Sequence, residues 1–205
     1  MQGMVDALES KRAMETQHRE SAEVMAALAA HHDCLLAIAD RLTACLRGGG
    51  TLYLCGNGGS AADAQHVAAE FVGRFLRERR PLPAIALTCN TSVLTAIGND
   101  YDFSEVFSRQ VRAHVTARDC VIGISTSGHS ANVLKALAAA RELGATTIGF
   151  TGNAGHELAA LCDEFLMAPS ASTPRIQEAH LLAWHLVCDR VERGLFANEL
   201  RPPSR

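Results

Sequence analysis

The sequence predicts an α/β fold: a three-layer, doubly wound sheet of five parallel strands, with long helices at its N- and C-terminal ends. Three observations predict it. Short apolar runs alternate with stretches of helical composition. Two of those runs end in loops rich in Gly, Ser and Thr, where a parallel sheet binds its ligands. Long helical stretches flank the alternation on both sides. A chain of 205 residues suits one domain, 1–205, with 1–16 flexible, 17–47 as the first long helix and 51–198 as the α/β core.

The first helix, Gln17 to Arg47, is rich in Ala and Leu, lacks Gly and Pro, and is stopped by Gly48-Gly49-Gly50. Thr51–Cys55 is an apolar run that suits a strand buried on both faces. Ser60 to Leu76 reads as helix, and Ala84–Leu87, opened by Pro81 and Pro83, as the second strand. Two short helices follow near Ser92–Ile97 and Ser104–Val115. Cys120–Ile124 is the third strand and Asn132–Leu143 a helix closed by Gly144. Thr146–Phe150 and Glu164–Met167 are strands four and five, with a short helix near His156–Leu161 between them. The last helix runs from Pro174 to Arg193, with Pro at its start and Gly194 at its end.

Composition excludes several classes of function. Hydrophobic residues are 48% and charged residues 20%, enough apolar material for a core and too much for an intrinsically disordered chain. The formal charge of −3 leaves no global basic field for nucleic acid or an anionic membrane. Apolar stretches such as Ala26–Ala30 stop well short of the roughly 20 residues a bilayer span needs. Met1 to Glu20 is polar and lacks the apolar centre of a signal peptide. The seven cysteines are scattered singly with no C-x-x-C pair, as reduced thiols in a cytoplasm would be.

Two loops carry the chemistry. Gly56-Asn57-Gly58-Gly59-Ser60-Ala61 follows the first strand. Its glycines allow tight turning and close approach of a ligand, Ser60 is placed to cap the next helix with Asp63 as partner, and the helix start favours an anion. The same loop satisfies G-x-G-x-x-A, the dinucleotide fingerprint, which also needs a carboxylate at the end of strand two. That strand ends in Thr88-Cys89-Asn90, which speaks against a nicotinamide enzyme. Ser125-Thr126-Ser127-Gly128-His129-Ser130 follows the third strand, and its hydroxyls and amides suit a phosphomonoester. Between the loops in sequence lies Asn99-Asp100, by itself a turn signal.

His66 and Glu70 stand four apart, on one face of the helix that starts at the glycine loop. The last helix carries Gln177, Glu178, His180 and His185 among apolar residues. Gln177 and His185 are about 12 Å apart along a helix axis, so one ion takes both only if they lean together or come from different subunits. Spacing does not choose between His180 and His185.

These residues resemble the sugar-isomerase (SIS) domain, whose sheet is flavodoxin-like, and in particular the bacterial phosphoheptose isomerases. The resemblance runs from about residue 20 to 198, and its most specific pieces are CGNGGSAADAQHVAAE (Cys55–Glu70), GISTSGHSANV (Gly123–Val133) and RIQEAHLLAWH (Arg175–His185). It implies an enzyme, an aldose–ketose isomerase that converts sedoheptulose 7-phosphate to D-glycero-D-manno-heptose 7-phosphate for lipopolysaccharide core or S-layer sugars. It places Asn57, Gly58, Gly59, Ser60, Asn99, Asp100, Ser125, Thr126, Ser127, Ser130, Glu70 and Gln177 on the substrate. It implies one zinc per subunit held by His66, Glu70, Gln177 and His185, an acid–base pair of Glu70 and His185, and a cytoplasmic homotetramer. His129 departs from the family pattern, which has Asn there.

A relative with the same fold binds the replication initiator protein and is no isomerase. It is similar in PAIALTCNTSVLTAIGND and at the end of the chain, but lacks the acid–base side chains at the positions of Glu70 and His185. Retention of both favours the enzyme over this adaptor. Sugar-phosphate regulators carry a further helix-turn-helix domain, for which 205 residues leave no room.

Overall fold

The computed structural model describes residues 2–197 and has five strands and eight α-helices in the order of a doubly wound fold. Two N-terminal helices, α1 (Gln2–Ala27) and α2 (His32–Arg47), are joined by a 3₁₀ turn at Leu28–His31. Then come β1 (Leu52–Gly56), α3 (Gly59–Val72), β2 (Ala84–Ala86), α4 (Thr91–Asp100), a 3₁₀ turn at Phe103–Glu105 and α5 (Ser108–His114). The chain continues through β3 (Cys120–Ser125), α6 (Ala131–Glu142), β4 (Thr146–Gly152), α7 (His156–Ala159), β5 (Glu164–Ala168) and α8 (Thr173–Phe196).

The sheet order is β2-β1-β3-β4-β5, and every pairing is parallel. The chain leaves β1 towards β2 on one side and leaves β3 towards β4 on the other. A crevice therefore opens between the carboxyl ends of β1 and β3, the switch point where such folds bind ligands. In the register of this pair Cys55 faces Gly123 and Gly56 faces Ile124, so the two sequence-predicted loops emerge side by side. One face of the sheet packs with Ile38, Leu42, Leu54, Phe71, Ile122, Phe150 and Trp184; the other packs with Val111, Val121, Val133 and Leu137.

Several boundaries differ from expectation for identifiable reasons. The first helix starts at Gln2, within the segment expected to be flexible, and is interrupted by the 3₁₀ turn that carries buried Leu28. No Gly or Pro marks that tightening; it is a packing adjustment, which composition does not encode. α3 stops at Val72 because residues 75–77 turn their N–H groups to the Glu192 carboxylate. The helix expected over Ser104–Val115 is split, with Asp102 capping the 3₁₀ turn through its carboxylate. Gly194 does not end the last helix: α8 runs on to buried Phe196, and a Cβ at Gly194 would press on Thr43 of α2. That glycine serves close helix approach. The expected end of the core at residue 198 lies outside the described residues.

The expectation that no stretch is apolar enough to cross a membrane is also corrected. Ala7–Arg47 holds an 18-residue window of mean hydropathy 1.3, sufficient by length and composition. In the fold the apolar face of α2 is committed: Leu35, Ile38, Ala39, Leu42 and Leu46 are buried in the core that α8 shares.

His180 is wholly buried on α8, its Nε2–H donating to the Thr151 carbonyl of β4 at 3.1 Å. Burial pushes its pKa down from 6.5 to about 4, against the smaller upward pull of that hydrogen bond. Above about pH 6.5 the imidazole is neutral in both folded and unfolded chains, and the fold keeps its full stability. As pH falls from there to about 4, the unfolded chain takes up a proton that the fold refuses, and up to about 3 kcal/mol is lost. Urea midpoints measured from pH 7.5 to 4.5 are expected to fall with pH, and to fall less steeply in His180→Leu. An equal slope in that variant would refute this role for His180.

Candidate active site

The first loop is shaped by glycine where glycine is required. Gly58 has φ +55, and a Cβ on Gly56 would sit 2.7 Å from the Ser60 carbonyl oxygen. Gly58, with no capping side chain, is the residue before the helix; Ser60 lies inside α3 and is buried. The expected Ser60–Asp63 capping box is therefore absent, and Asp63 keeps one buried carboxylate oxygen without a partner. Burial raises the Asp63 pKa, opposed by nearby His66. The Gly58 carbonyl accepts from Ala61 and Ala62, while among the described residues the N–H groups of Gly59 and Ser60 have no partner. Two free amides at a helix start favour an anion.

In the second loop Ser125 Oγ lies 2.9 Å from Ser130 Oγ and 3.5 Å from Ser127 Oγ, and accepts from the Gly128 N–H at 3.2 Å. Ser130 precedes α6 but makes no side-chain cap, so simple capping does not account for these hydroxyls. Thr126 is partly exposed at the turn, and its carbonyl accepts from Gly152. His129 turns to Glu157 of α7, Nδ1 to Oε2 at 2.7 Å. The two loops are locked together by an amide pair: Asn57 Nδ2 donates to Asn132 Oδ1 at 2.9 Å, and Asn132 Nδ2 donates to Asn57 Oδ1 at 2.8 Å.

Helices α3 and α8 bring the titratable groups together. His66 Nε2 lies 3.3 Å from His185 Nε2 and 3.4 Å from Glu70 Oε1. Phe75 stacks on the His185 ring, centroids 5.4 Å apart at 28°. Gln177 packs on Gly59, where any Cβ would run into its amide. Gly59 with Gln177, His66 with His185 and Phe75 with Glu192 climb both helices in the same order, so α3 and α8 lie side by side and parallel. The choice between histidines that spacing left open is made by this packing: His185 meets His66, and His180 faces the sheet.

The donor set fits a zinc ion in part. A tetrahedral zinc with bonds of about 2.0–2.1 Å holds neighbouring donors about 3.3 Å apart, and both spacings at His66 match that edge. His66 is the shared corner, but among the described residues no three of His, Cys, Asp and Glu are grouped so as to hold a metal ion. Gln177 sits at the glycine loop. Asn99 and Asp100 hydrogen-bond to each other at the exposed end of α4, and among the described residues no hydrogen bond ties them to either loop.

The model of the SIS domain matches residues 18–152. Phosphoheptose isomerase of Rhodospirillum rubrum is 56% identical over 166 residues, 80% of this chain and 88% of the relative. That of Burkholderia pseudomallei is 51% identical over 183 residues, 88% and 93% of the two chains. The chain belongs to the phosphoheptose isomerase family of SIS domains. Solved phosphoheptose isomerases superpose closely: that of Neisseria gonorrhoeae with a TM-score of 0.84 at 43% identity, covering 89% of this chain and 98% of its own. That of Francisella tularensis gives 0.87 at 35% identity, covering 90% and 98%.

Within this SIS domain four structural roles escaped the sequence reading. Asn132 ties the loops, Phe75 backs His185, Glu157 holds His129, and an Arg79–Glu192 pair joins α3 to α8. Asn132 and Phe75 lie in or beside quoted motifs, but their partners are 75 and about 110 residues away in sequence, where local spacing carries no signal. The Phe at the end of a helical stretch and the buried charges were readable only as residue types.

Proposed function

We propose that this protein is an isomerase of sedoheptulose 7-phosphate, forming D-glycero-D-manno-heptose 7-phosphate through an enediolate for bacterial heptose synthesis. The observation that carries it is the convergence of Glu70 and His185 on His66, on the helix that starts at the anion-binding loop. Family membership and the names of the relatives support the substrate class.

The phosphate is held by Ser125, Thr126, Ser127 and Ser130, and the sugar hydroxyls by Asn57, Gly58, Gly59, Ser60 and Gln177. Such neutral donors bind by hydrogen bonds in a preformed crevice. Asn99 and Asp100 join them by family resemblance, and in a single chain stand apart. Glu70 lifts the carbon-bound proton and returns it to the neighbouring carbon, while His185 moves a proton between the two oxygens. Oε1 of Glu70 faces His66, and among the described residues Oε2 has no partner, which leaves it for the substrate. His66, Glu70 and His185 would hold zinc, with Gln177 supplied by another subunit because within one chain it lies two turns away at the glycine loop; bound there, the ion's charge would stabilise the developing oxyanion. Phe75 keeps the His185 ring from turning away.

We place the protein in the cytoplasm as a homotetramer, in keeping with its free cysteines and with Leu36, Leu181 and Leu186, large apolar residues left exposed on α2 and α8. Light scattering is expected to give four subunits per particle. The decisive experiment incubates zinc-replete protein with sedoheptulose 7-phosphate and follows the aldose by chromatography. Turnover that is lost to a chelator and restored by zinc is the expected result. No turnover, with capture of the replication initiator by the same preparation, would establish the adaptor instead.

A further inference from the structure

We propose that Arg79 and Glu192 are positioning residues: a buried clamp that fixes the His66–Glu70 face of α3 against the His185 face of α8. Both side chains are 1% exposed, and Arg79 Nε donates to Glu192 Oε1 at 3.0 Å. The proposal rests on the roles given above to Glu70 and His185.

Each partner is bound to a different half of the site. Arg79 donates from Nη2 to the Glu70 carbonyl at 2.7 Å, and from Nη1 to the Phe71 carbonyl at 2.7 Å and the Gly73 carbonyl at 3.0 Å. These acceptors belong to the last turn of α3 and to Gly73 just after it, where backbone carbonyls lack helical partners and a cation is favoured by the helix dipole. The guanidinium thus grips the very residue whose carboxylate faces His66. Glu192 stands two turns beyond His185 on α8 and accepts from the backbone N–H groups of Phe75, Leu76 and Arg77 at 2.9, 3.0 and 3.1 Å. Phe75 is the ring that stacks on His185. One carboxylate therefore sets the Phe75 backbone, and through it the plane against which His185 lies.

Any buried ion pair needs its remaining donors and acceptors satisfied; what marks this one is that they go to the backbone of Glu70 and of Phe75, the residues beside His66 and His185. Buried ion pairs are weak evidence for stability, since desolvation offsets much of their attraction. Here the donors and acceptors of both groups are spent on the backbone beside the reacting side chains.

The test compares Arg79→Lys and Glu192→Gln with wild type. Lysine keeps the charge but not the fork that reaches four carbonyls, those of Glu70, Phe71, Gly73 and Arg80. Each variant is expected to lower kcat at least tenfold with KM within about twofold, a loss of the size that supporting groups around a site contribute. The readout independent of turnover is the proton NMR of the zinc-free protein: His185, assigned with His185→Gln, carries the ring-current shift of Phe75 in wild type and loses it in both variants. Variants that melt earlier but keep kcat and the shifted resonance would overturn the proposal. In wild type, the amides of Phe75, Leu76 and Arg77 are expected to exchange with solvent as slowly as those of α8. Exchange at the rate of an open loop would overturn it even if both variants failed to fold. Should wild type itself lack isomerase activity, the resonance and exchange data still read the clamp, and the failure belongs to the proposed function alone.

Discussion

Glu70→Gln is expected to lower kcat on sedoheptulose 7-phosphate by about a hundred- to ten-thousand-fold, the range that a general base contributes. The amide has the size of the carboxylate but cannot take a proton from carbon. KM is expected to stay within a few-fold, since the hydroxyl loop after β3, proposed to hold the phosphate, is untouched. The side chain is 21% exposed and makes no hydrogen bond to the core, so the melting temperature should move little. Zinc content measured on the same samples separates loss of the base from loss of the ion. A zinc-loaded variant that turns over within threefold of wild type removes Glu70 from the reaction.

The fold was legible because its signals are local. Every strand was visible as an apolar run, and Gly48–Gly50, Pro81, Gly144 and Pro174 punctuated the chain where elements change. The exceptions were decided by partners remote in sequence. Residues 75–77 are of helical type, yet they leave α3 because Glu192 offers their N–H groups a charged acceptor. Gly194 has the form of a helix stop, yet it lies inside α8, where a Cβ would stand 3.3 Å from the Thr43 side chain of α2. Ser60 has the form of an N-cap, yet Gly58 takes the turn at φ +55, out of reach of an ordinary residue, and Ser60 is drawn under the loop.

The site was legible to the extent that function and local conformation ask for the same residue types. A helix start that binds an anion needs glycines and hydroxyls, so both loops could be read from composition. A face that carries His66 and Glu70 needs only the helical period. What the sequence does not contain is the pairing of α3 with α8. That pairing selects His185 over His180, and a buried imidazole at His180 hydrogen-bonded to β4 is indistinguishable by spacing from one that faces a substrate. The same holds for Asn132, whose value lies wholly in its reciprocal bond with Asn57.

The second large effect is expected from Gly128→Ala in the loop after β3 proposed to hold the phosphate. Gly128 has φ +74, where an alanine costs about 1–2 kcal/mol. Its new Cβ would also run into Gly155 Cα and stand 3.0 Å from Thr151 Oγ1. The space around Gly155 is already taken, since a Cβ built there would run into the Thr151 side chain. The loop must therefore lift, breaking the Gly128 N–H to Ser125 Oγ bond and spreading the Ser125–Ser130 hydroxyls. A stability loss of about 2–4 kcal/mol is expected by urea titration, as for other substitutions that combine strain with a backbone clash. KM for the sugar phosphate should rise at least tenfold, while kcat at saturation falls far less. Gly49→Ala is the control: its φ is +76 but nothing stands within 4 Å of the added atom, so it carries the strain without the clash. It should lose only the strain term and leave KM unchanged. If the two variants lose the same stability and both keep KM, the hydroxyl nest after β3 does not hold the phosphate.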